Sequence, residues 1–256
     1  MFRRPIFAAN WKMNKGPSDT QAFVKSFLSK LTGRPGCDIV IAAPFISLPT
    51  LSEALSEARG VEMAAQNCSQ FDDGAYTGEI SVKMLREILV RHVIIGHSER
   101  RSIFGETNAI INAKMKKARE AGLKLIFCIG ETLEERNAGI LETVLRTQIT
   151  EGLEGITADD MEDTVIAYEP VWAIGTGVTA TAEQAQEAHA FVRSVIVDLY
   201  GVEIAQKLRI QYGGSVKPNN AAELMACPDI DGALIGGASL EAQSFVDIIV
   251  HGCPAV

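Results

Sequence analysis

Short apolar segments recur along the whole chain, and each is followed by a stretch with helical periodicity. Eight of these segments are rich in apolar and β-branched residues: PIFAANW, CDIVIAAP, VEMAAQN, HVIIGHS, LKLIFCIGE, TVIAYEP, LRIQYGG and DGALIGG. We interpret each segment as apolar throughout, without alternation between apolar and polar residues. This pattern is typical of strands that are buried on both faces, as in a parallel sheet covered by helices.

The intervening stretches carry the signals of amphipathic helices. Ser18 and Gln21 have the spacing of a capping box before one apolar stripe, and Thr181 and Gln184 have the same spacing before another. Gly201 stands where the second stripe ends, as glycine often does at a helix C-terminus. The second helix is therefore predicted over residues 181–200.

Strand then helix, repeated eight times, predicts an α/β fold in which eight parallel strands form a closed (β/α)8 barrel surrounded by helices. We predict that residues 1–256 form this single barrel domain. An open doubly wound sheet uses the same alternation, but it usually carries a glycine-rich dinucleotide-binding motif after its first strand. The first strand leads here into NWKMNKG, which lacks that motif, so the barrel is favoured.

The net charge of this 256-residue chain is −8 at neutral pH. Nucleic acids and anionic membranes would be repelled by such a field, so neither is expected as a partner. No apolar run approaches the roughly 20 residues that span a bilayer, and no apolar signal core follows MFRRPIFAANWK, so a cytoplasmic location is expected. The five cysteines contain no CxxC pair, which predicts neither a disulfide framework nor a zinc site. Cys37 and Cys128 lie in apolar runs and are expected to be buried.

Polar residues and glycines stand at the ends of the predicted strands, where barrels form their active sites. The positions that share this placement are Asn10, Lys12, His97, Glu169, the pair Gly213 and Gly214, and the pair Gly236 and Gly237. Although these residues are far apart in sequence, we expect them to converge on one face of the barrel.

Glu169 follows the apolar run TVIAY and precedes Pro170, which ends the strand. A carboxylate among apolar groups becomes more basic, and such a base can remove a proton beside a carbonyl group. We therefore expect Glu169 to have a raised pKa and to act as a general base. A structural ion pair at the strand end is the alternative interpretation.

His97 and Lys12 each allow more than one role. His97, in VIIGHSER, could polarise a carbonyl group or shuttle a proton, or it could be structural. Lys12 stands between Trp11 and Met13, an unusual place for a lysine that only confers solubility. It could neutralise an anionic substrate, form a Schiff base, or extend its ammonium group into solvent. Position alone leaves these roles open.

The glycine pairs in YGGS and IGGAS would let backbone N–H groups approach an anion closely, as in the phosphate sites of many barrels. Ordinary turns are the alternative for each pair. The segment PVWAIGTGVTA, which includes Gly175, has a bulky apolar end and an end of small residues. It is predicted to be a lid that excludes water from a reactive intermediate, and the alternative is an ordinary loop with Trp172 in the core.

Several segments together resemble the signature sequences of the triosephosphate isomerase family: NWKMN, IIGHSERR, FGETN, CIGE, AYEPVWAIGTG, YGGSV and DGALIGGASL. The resemblance extends from Ala8 to Leu240, and AYEPVWAIGTG alone is highly specific. It implies a TIM barrel and a cytoplasmic enzyme of glycolysis and gluconeogenesis. The implied reaction is the reversible interconversion of dihydroxyacetone phosphate and D-glyceraldehyde 3-phosphate, with no metal and no cofactor.

The resemblance also implies roles for individual residues. Glu169 would move a proton between neighbouring carbons through an enediolate, and neutral His97 would act as the electrophile. Lys12 would bind the phosphate group and the developing charge, while Asn10 would orient the substrate oxygens. Glu99 would pair with Lys12 and set its position.

Binding of the phosphate group and assembly are implied in the same way. The phosphate would be held by Gly175, Ser215, Gly236 and Gly237. The enzyme would be a homodimer, in which the segment around Thr77 inserts beside the active site of the other subunit. Isolated monomers would therefore be poor catalysts.

Two alternatives to the isomerase are a Schiff-base aldolase that uses Lys12 and a non-catalytic phosphate-binding barrel. An aldolase would typically place its lysine at a later strand. A non-catalytic barrel would be expected to lose Glu169 or His97 while it keeps the glycine pairs. Both positions are filled here.

Overall fold

Eight parallel strands close into a barrel in the computed structural model, which describes residues 3–31, 33, 36–174 and 179–253. Each strand pairs with the next one along the chain, and the first pairs with the last. The strands are β1 (Ile6–Asn10), β2 (Asp38–Ala43), β3 (Val61–Ala65), β4 (His92–Ile95), β5 (Lys124–Ile129), β6 (Thr164–Tyr168), β7 (Arg209–Tyr212) and β8 (Gly232–Ile235). The predicted fold class and all eight predicted strands are confirmed.

Helices surround the barrel and connect its strands. Within the described residues they are α1 (Pro17–Lys30), α2 (Leu48–Ala54), α3 (Val82–Glu87), α4 (Ser98–Ser102), α5 (Asn108–Glu120), α6 (Leu133–Asn137), α7 (Leu141–Gly152), α8 (Ala182–Tyr200), α9 (Val202–Lys207), α10 (Ala221–Met225) and α11 (Ala242–Gly252). None of these helices has both the length and the apolar character needed to cross a bilayer.

Two layers of buried side chains stabilise the barrel. Alternate strand residues fill its interior: Ile6, Ala8, Val40, Ala42, Ala64, Ile94, Ile126, Cys128, Val165, Ala167 and Leu234. The residues between them point outwards and join a larger cluster with the helices. Because both faces of each strand are covered, an apolar run without alternation is what this sheet requires.

The prediction that the strands are apolar throughout is wrong near the start of four of them, β2 to β5. Asp38, Glu62, His92 and Lys124 each lie two positions before an interior residue and therefore face the barrel axis. Glu62 accepts hydrogen bonds from His92 Nε2 at 2.6 Å and Lys124 Nζ at 3.1 Å. Asp38 pairs with Arg209 at 2.6 Å. Charged pairs therefore close the amino end of the barrel, which leaves the carboxyl end for an open cavity.

One predicted capping box is present and the other is not. The Thr181 hydroxyl accepts the Gln184 N–H at 3.2 Å, and the Gln184 side chain accepts the Thr181 N–H at 3.0 Å. Helix α1 instead begins at Pro17, with Gly16 before it and no side-chain cap, so the prediction for Ser18 is wrong. Proline suits the first helical position because its φ is already helical and it has no N–H to satisfy. Gly201 ends α8 with φ 85°, as predicted.

Candidate active site

A cavity of about 340 Å³ opens at the carboxyl ends of the strands. The predicted residues that line it are Asn10, Lys12, His97, Glu169, Gly213, Gly214, Ser215, Gly236 and Gly237. Glu99 contacts one of them, Lys12, through its carboxylate. Gly175 lies outside the described residues, and Thr77 lies in an exposed turn that does not line the cavity. The structure therefore brings together residues that come from the first, fourth, sixth, seventh and eighth strand ends.

Glu169 is fixed where β6 ends, and two glycines at neighbouring strand ends make room for it. Its N–H donates to the carbonyl of Ile129 at 2.7 Å, and the residue is 1% exposed. A Cβ at Gly130 would lie 1.8 Å from the carbonyl oxygen of Glu169, and one at Gly213 would lie 2.8 Å from its Cγ. Gly213 therefore positions the candidate base, a role distinct from the phosphate contact predicted for its pair.

The carboxylate of Glu169 makes two polar contacts. Oε1 lies 3.0 Å from His97 Nε2, and Oε2 accepts the backbone N–H of Ser98 at 2.9 Å. Burial favours the protonated acid, yet the pKa of Glu169 is lowered because His97 and the Ser98 amide stabilise the carboxylate. The expectation of a raised pKa is therefore wrong for this arrangement. Charge and hydrogen bonding outweigh burial here.

His97 caps helix α4 through its ring. Nδ1 accepts the backbone N–H of Glu99 at 3.2 Å, so Nδ1 carries no proton and Nε2–H points to Glu169. Burial disfavours the imidazolium, but the adjacent Glu169 carboxylate raises the pKa of His97. Nδ1 can accept the Glu99 N–H only while the ring is neutral. Glu169 is the largest influence that favours the imidazolium, followed by the Glu99 carboxylate, so separation of His97 from Glu169 would favour the neutral form.

Lys12 adopts a left-handed backbone conformation with φ 53°, which is strained for a residue with a Cβ. The Asn10 side chain accepts the Lys12 N–H at 3.1 Å and so supports this turn. The Lys12 ammonium donates to Glu99 Oε1 at 2.5 Å. A Schiff base forms when an amine attacks a carbonyl carbon, whereas Lys12 Nζ is here engaged with a carboxylate. The contacts thus support an anion-binding role for Lys12 over a nucleophilic one.

The glycines after β8 leave space beside Lys12. A Cβ at Gly236 would lie 3.4 Å from Lys12 Cε, and a Cβ at Gly237 would meet no atom within 4 Å. Ser215 and Lys217 line the same cavity from the loop after β7. A second cation therefore borders the cavity. The sequence analysis missed Lys217, although a lysine that follows YGGSV directly was a usable signal.

The first residues of the predicted lid are anchored outside the barrel core. The Trp172 indole N–H donates to Glu131 Oε1 at 2.8 Å, and the Arg136 guanidinium lies 4.8 Å from the centre of the indole ring. Trp172 is half-buried, so it is not a core residue. Ile174 lines the cavity, and Leu234 adds a second apolar wall that the sequence analysis also missed. Residues 175–178 lie outside the described part, so closure of a lid stays a prediction.

Within the described residues, no group of three or more His, Cys, Asp or Glu side chains has the geometry to hold a metal ion. The polar groups of the cavity include the Glu169 carboxylate, the His97 imidazole and the ammonium groups of Lys12 and Lys217. Glycines line one of its walls. Such a set can transfer protons and bind an anion.

Comparisons with known proteins agree with this geometry. The family model described as Triosephosphate isomerase matches residues 5–251. A triosephosphate isomerase of Carboxydothermus hydrogenoformans is 52% identical over 247 residues, which cover 96% of this chain and 98% of the relative. One of Chloroherpeton thalassium is 52% identical over 248 residues with the same coverage, and one of Chlorobium luteolum is 50% identical over 252 residues, or 98% and 100% of the two chains. The chain belongs to the triosephosphate isomerase family.

Proposed function

We propose that this protein interconverts dihydroxyacetone phosphate and D-glyceraldehyde 3-phosphate, a step of glycolysis and gluconeogenesis. The observation that carries the proposal is a buried carboxylate, Glu169, 3.0 Å from the ring of His97 at the edge of a cavity that also holds the Lys12 ammonium. These groups supply a base, a hydrogen-bond donor and a cation. No metal or cofactor is needed for a proton transfer of this kind.

Glu169 is the proposed base. It takes the proton from the hydroxyl-bearing carbon of dihydroxyacetone phosphate, and the electron pair of that C–H bond forms a carbon–carbon double bond. The carbonyl electrons move to oxygen, which gives an enediolate. The proton on the hydroxyl oxygen of the first carbon then passes, by way of His97, to the oxygen of the neighbouring carbon. Return of the abstracted proton from Glu169 to that neighbouring carbon yields the aldehyde, so the reaction is balanced without another reactant.

His97 is the proposed electrophile. Its Nε2–H donates to the oxygen that gains charge as the enediolate forms. Glu169 must leave His97 to reach the substrate carbon, which removes the largest of the contacts that raise the pKa of His97. Burial and the Glu99 N–H on Nδ1 then keep the ring neutral. These are the roles generally attributed to the pair in triosephosphate isomerases.

Lys12 is proposed to bind the phosphate group and the developing negative charge, with Glu99 and Asn10 holding its side chain and its backbone in place. Ser215, Gly236 and Gly237 would complete the phosphate site, together with Gly175 of the predicted lid. The ammonium group supplies charge, and the glycines let backbone N–H groups approach the phosphate oxygens.

We also propose a homodimer in the cytoplasm. Apolar side chains are exposed around the carboxyl end of the barrel: Met13 (96%), Ile46 (70%), Ile103 (70%), Phe104 (66%), Tyr76 (44%) and Phe71 (41%). Exposed apolar groups of this kind mark interaction surfaces. The rings of Phe71 and Tyr76 stack with centroids 4.3 Å apart, which preorganises the loop that contains Thr77. The five cysteines are not joined in disulfides in the described part of the chain, which fits a reducing compartment.

The change Glu169→Gln tests the proposed base. The amide keeps the size of the side chain but cannot accept the proton, so we expect turnover to fall by roughly 10²- to 10⁴-fold, as for loss of a general base. KM and the affinity for glycerol phosphate, which cannot react, should change little. The measurement is a coupled assay in both directions, with calorimetric titration of glycerol phosphate.

Glu169→Asp is the matched control, because it keeps a carboxylate at a shorter reach. It should retain more activity than the glutamine variant. Near-normal turnover by Glu169→Gln would overturn the assignment of the base, and absence of triose phosphate interconversion in the unmodified protein would overturn the proposed function.

A further inference from the structure

The loop between β1 and α1 contains two residues in the left-handed region of the backbone. They are Lys12, with φ 53°, and Lys15, with φ 65°. Among the described non-glycine residues, only Leu89 shares a positive φ. A residue with a Cβ adopts this conformation at a cost in free energy, so the conformation persists only where surrounding contacts enforce it. The loop that brings the Lys12 ammonium to the cavity is therefore strained at two positions.

Contacts at the start of this loop define the turn around Lys12. The Asn10 side chain accepts the Lys12 N–H at 3.1 Å, and the Asn14 side chain donates to the carbonyl of Trp11 at 2.8 Å. Trp11 is buried, and its N–H donates to the carbonyl of Ala42 in β2 at 3.1 Å. The first residues of the loop are thus joined to the barrel.

Ser47 holds the end of the same loop. It lies in the turn between β2 and α2, and its hydroxyl donates to the backbone carbonyl of Lys15 at 2.7 Å. Ser47 is 0% exposed, whereas Ile46 before it is 70% exposed, so the hydroxyl is directed into the molecule. The Ser47 N–H donates to the carbonyl of Pro44 at 2.9 Å. A buried hydroxyl that is fixed in its own turn can therefore hold a strained residue of the neighbouring loop in place.

The side chain of Lys15 has other partners than that of Lys12. Its ammonium lies 5.1 Å from the centre of the Phe23 ring and 5.8 Å from the Trp11 ring, and these two rings pack edge to face. Cations are attracted to aromatic rings at distances up to about 6 Å. The Lys12 ammonium instead donates to Glu99 beside the cavity. Lys15 thus anchors the loop to α1, while Lys12 is directed to the candidate active site.

We propose that Ser47 is a positioning residue for Lys12, on which it acts by holding the backbone carbonyl of Lys15. This inference rests on the proposed function, in which Lys12 binds the phosphate group of the substrate. Only two residues separate Lys12 from Lys15, so a change in the backbone of Lys15 reaches Lys12 directly. Without the Ser47 contact, binding of the phosphate would have to order a loop that is already ordered in this structure, and affinity would fall.

The variant Ser47→Ala removes the hydroxyl and leaves the size of the side chain nearly unchanged. We expect the Kd of glycerol phosphate and the KM of the substrate to rise together by roughly fivefold, the change that corresponds to one lost hydrogen bond. The value of kcat should fall by less than about twofold, because Ser47 acts on the loop and not on Glu169 or His97. Amide hydrogen exchange should become faster in the peptide that contains residues 10–16. Calorimetric titration, steady-state kinetics and mass spectrometry measure these effects.

Three further variants separate positioning from a loss of stability. Thr164→Val removes a buried hydroxyl that donates to the carbonyl of Asp160 at 2.8 Å, at the amino end of the barrel. It should lower the melting temperature and leave the affinity for glycerol phosphate unchanged. In the Lys12→Met background, Ser47→Ala should not weaken the remaining affinity further, because the serine acts through Lys12. Ser47→Cys keeps a weaker donor and should raise the Kd by less than Ser47→Ala does.

The proposal is overturned if Ser47→Ala binds glycerol phosphate as tightly as the unmodified protein, or if its loss of affinity is as large in the Lys12→Met background. A loss that varies with protein concentration would also overturn it, since dissociation of subunits would then be the cause. Failure of the proposed function is a different result. In that case the unmodified protein would not interconvert triose phosphates, or Lys12→Met would bind glycerol phosphate as tightly as the unmodified protein does.

Discussion

The carboxylate of Glu169, the proposed base, is held by two hydrogen-bond donors in this structure. The Ser98 amide and His97 hold the carboxylate in its charged form and lower its pKa. A carboxylate that leaves these donors loses their stabilisation and becomes more basic, because burial is then opposed only by more distant charges such as Lys12. The proposed base is thus ionised in this structure, and we expect it to gain basicity when it contacts the substrate carbon.

His189 shows the opposite balance, because burial dominates its ionisation. The ring is fully buried on α8, edge-on to Tyr168 at 5.7 Å, and Nδ1 lies 3.1 Å from the carbonyl oxygen of Asp229. Burial lowers the pKa of His189 from 6.5 to about 3. The unfolded chain therefore binds a proton that the folded chain rejects between these values, so the free energy of unfolding falls as the pH drops from 6.5 towards 3.

The variant His189→Gln tests this dependence. Between pH 7 and pH 4.5 the unmodified protein should lose on the order of 2–3 kcal/mol of stability through this one group. The variant should lose less over the same interval, whatever its stability at pH 7. Urea unfolding at both pH values measures the difference, with the exposed His251→Gln as the matched control. Equal losses in His189→Gln and the unmodified protein would contradict the prediction.

Helix starts depend on which local group satisfies the first backbone N–H groups. At α8 the side chains of Thr181 and Gln184 do so reciprocally. At α1 the proline at the first turn removes one N–H group and shifts the start, so Ser18 has no capping contact. At the element scale, identical spacings in the sequence thus produce different structures because the residue next to Ser18 differs.

The variants Thr181→Ala and Ser18→Ala form a matched pair. Loss of the Thr181 hydroxyl leaves the Gln184 N–H without its acceptor, so the free energy of unfolding should fall by about 1 kcal/mol. Ser18→Ala should change it by less than about 0.5 kcal/mol, because no cap is lost. Denaturant unfolding of both variants gives the comparison. A larger loss for Ser18→Ala than for Thr181→Ala would show that the cap at α8 does not stabilise the fold.

The barrel as a whole has two unlike ends. Ion pairs close the amino end, while the carboxyl end carries the cavity and, in the loops after β1 to β4, a patch of exposed apolar side chains. Ile103 and Phe104 follow α4, the helix that carries Glu99, and Met13 follows Lys12. At the scale of the molecule, the proposed subunit contact thus adjoins the residues that hold the candidate active site.

The variant Ile103→Glu tests this arrangement. A charge in this patch of exposed apolar side chains should weaken the proposed dimer. Activity should fall as the dimer dissociates, because the proposed subunit contact adjoins the residues of the candidate active site. Sedimentation velocity at several protein concentrations, with activity measured on the same samples, reports both effects. Val202→Glu is the control, since Val202 is 59% exposed on α9, away from the patch of exposed apolar side chains in the loops after β1 to β4. A monomeric unmodified protein with full activity would contradict the proposed homodimer.

The apolar runs and the polar residues at their ends were enough to predict the eight strands, the closed barrel and the residues that line the cavity, because burial on both faces of a strand leaves a pattern in neighbouring residues. They did not reveal the lowered pKa of Glu169 or the ion pairs of Glu62 and Asp38. These features depend on distances between groups that are remote along the chain. Such distances are fixed only when the strands and helices pack together, and electrostatic interactions act through space at a few ångströms.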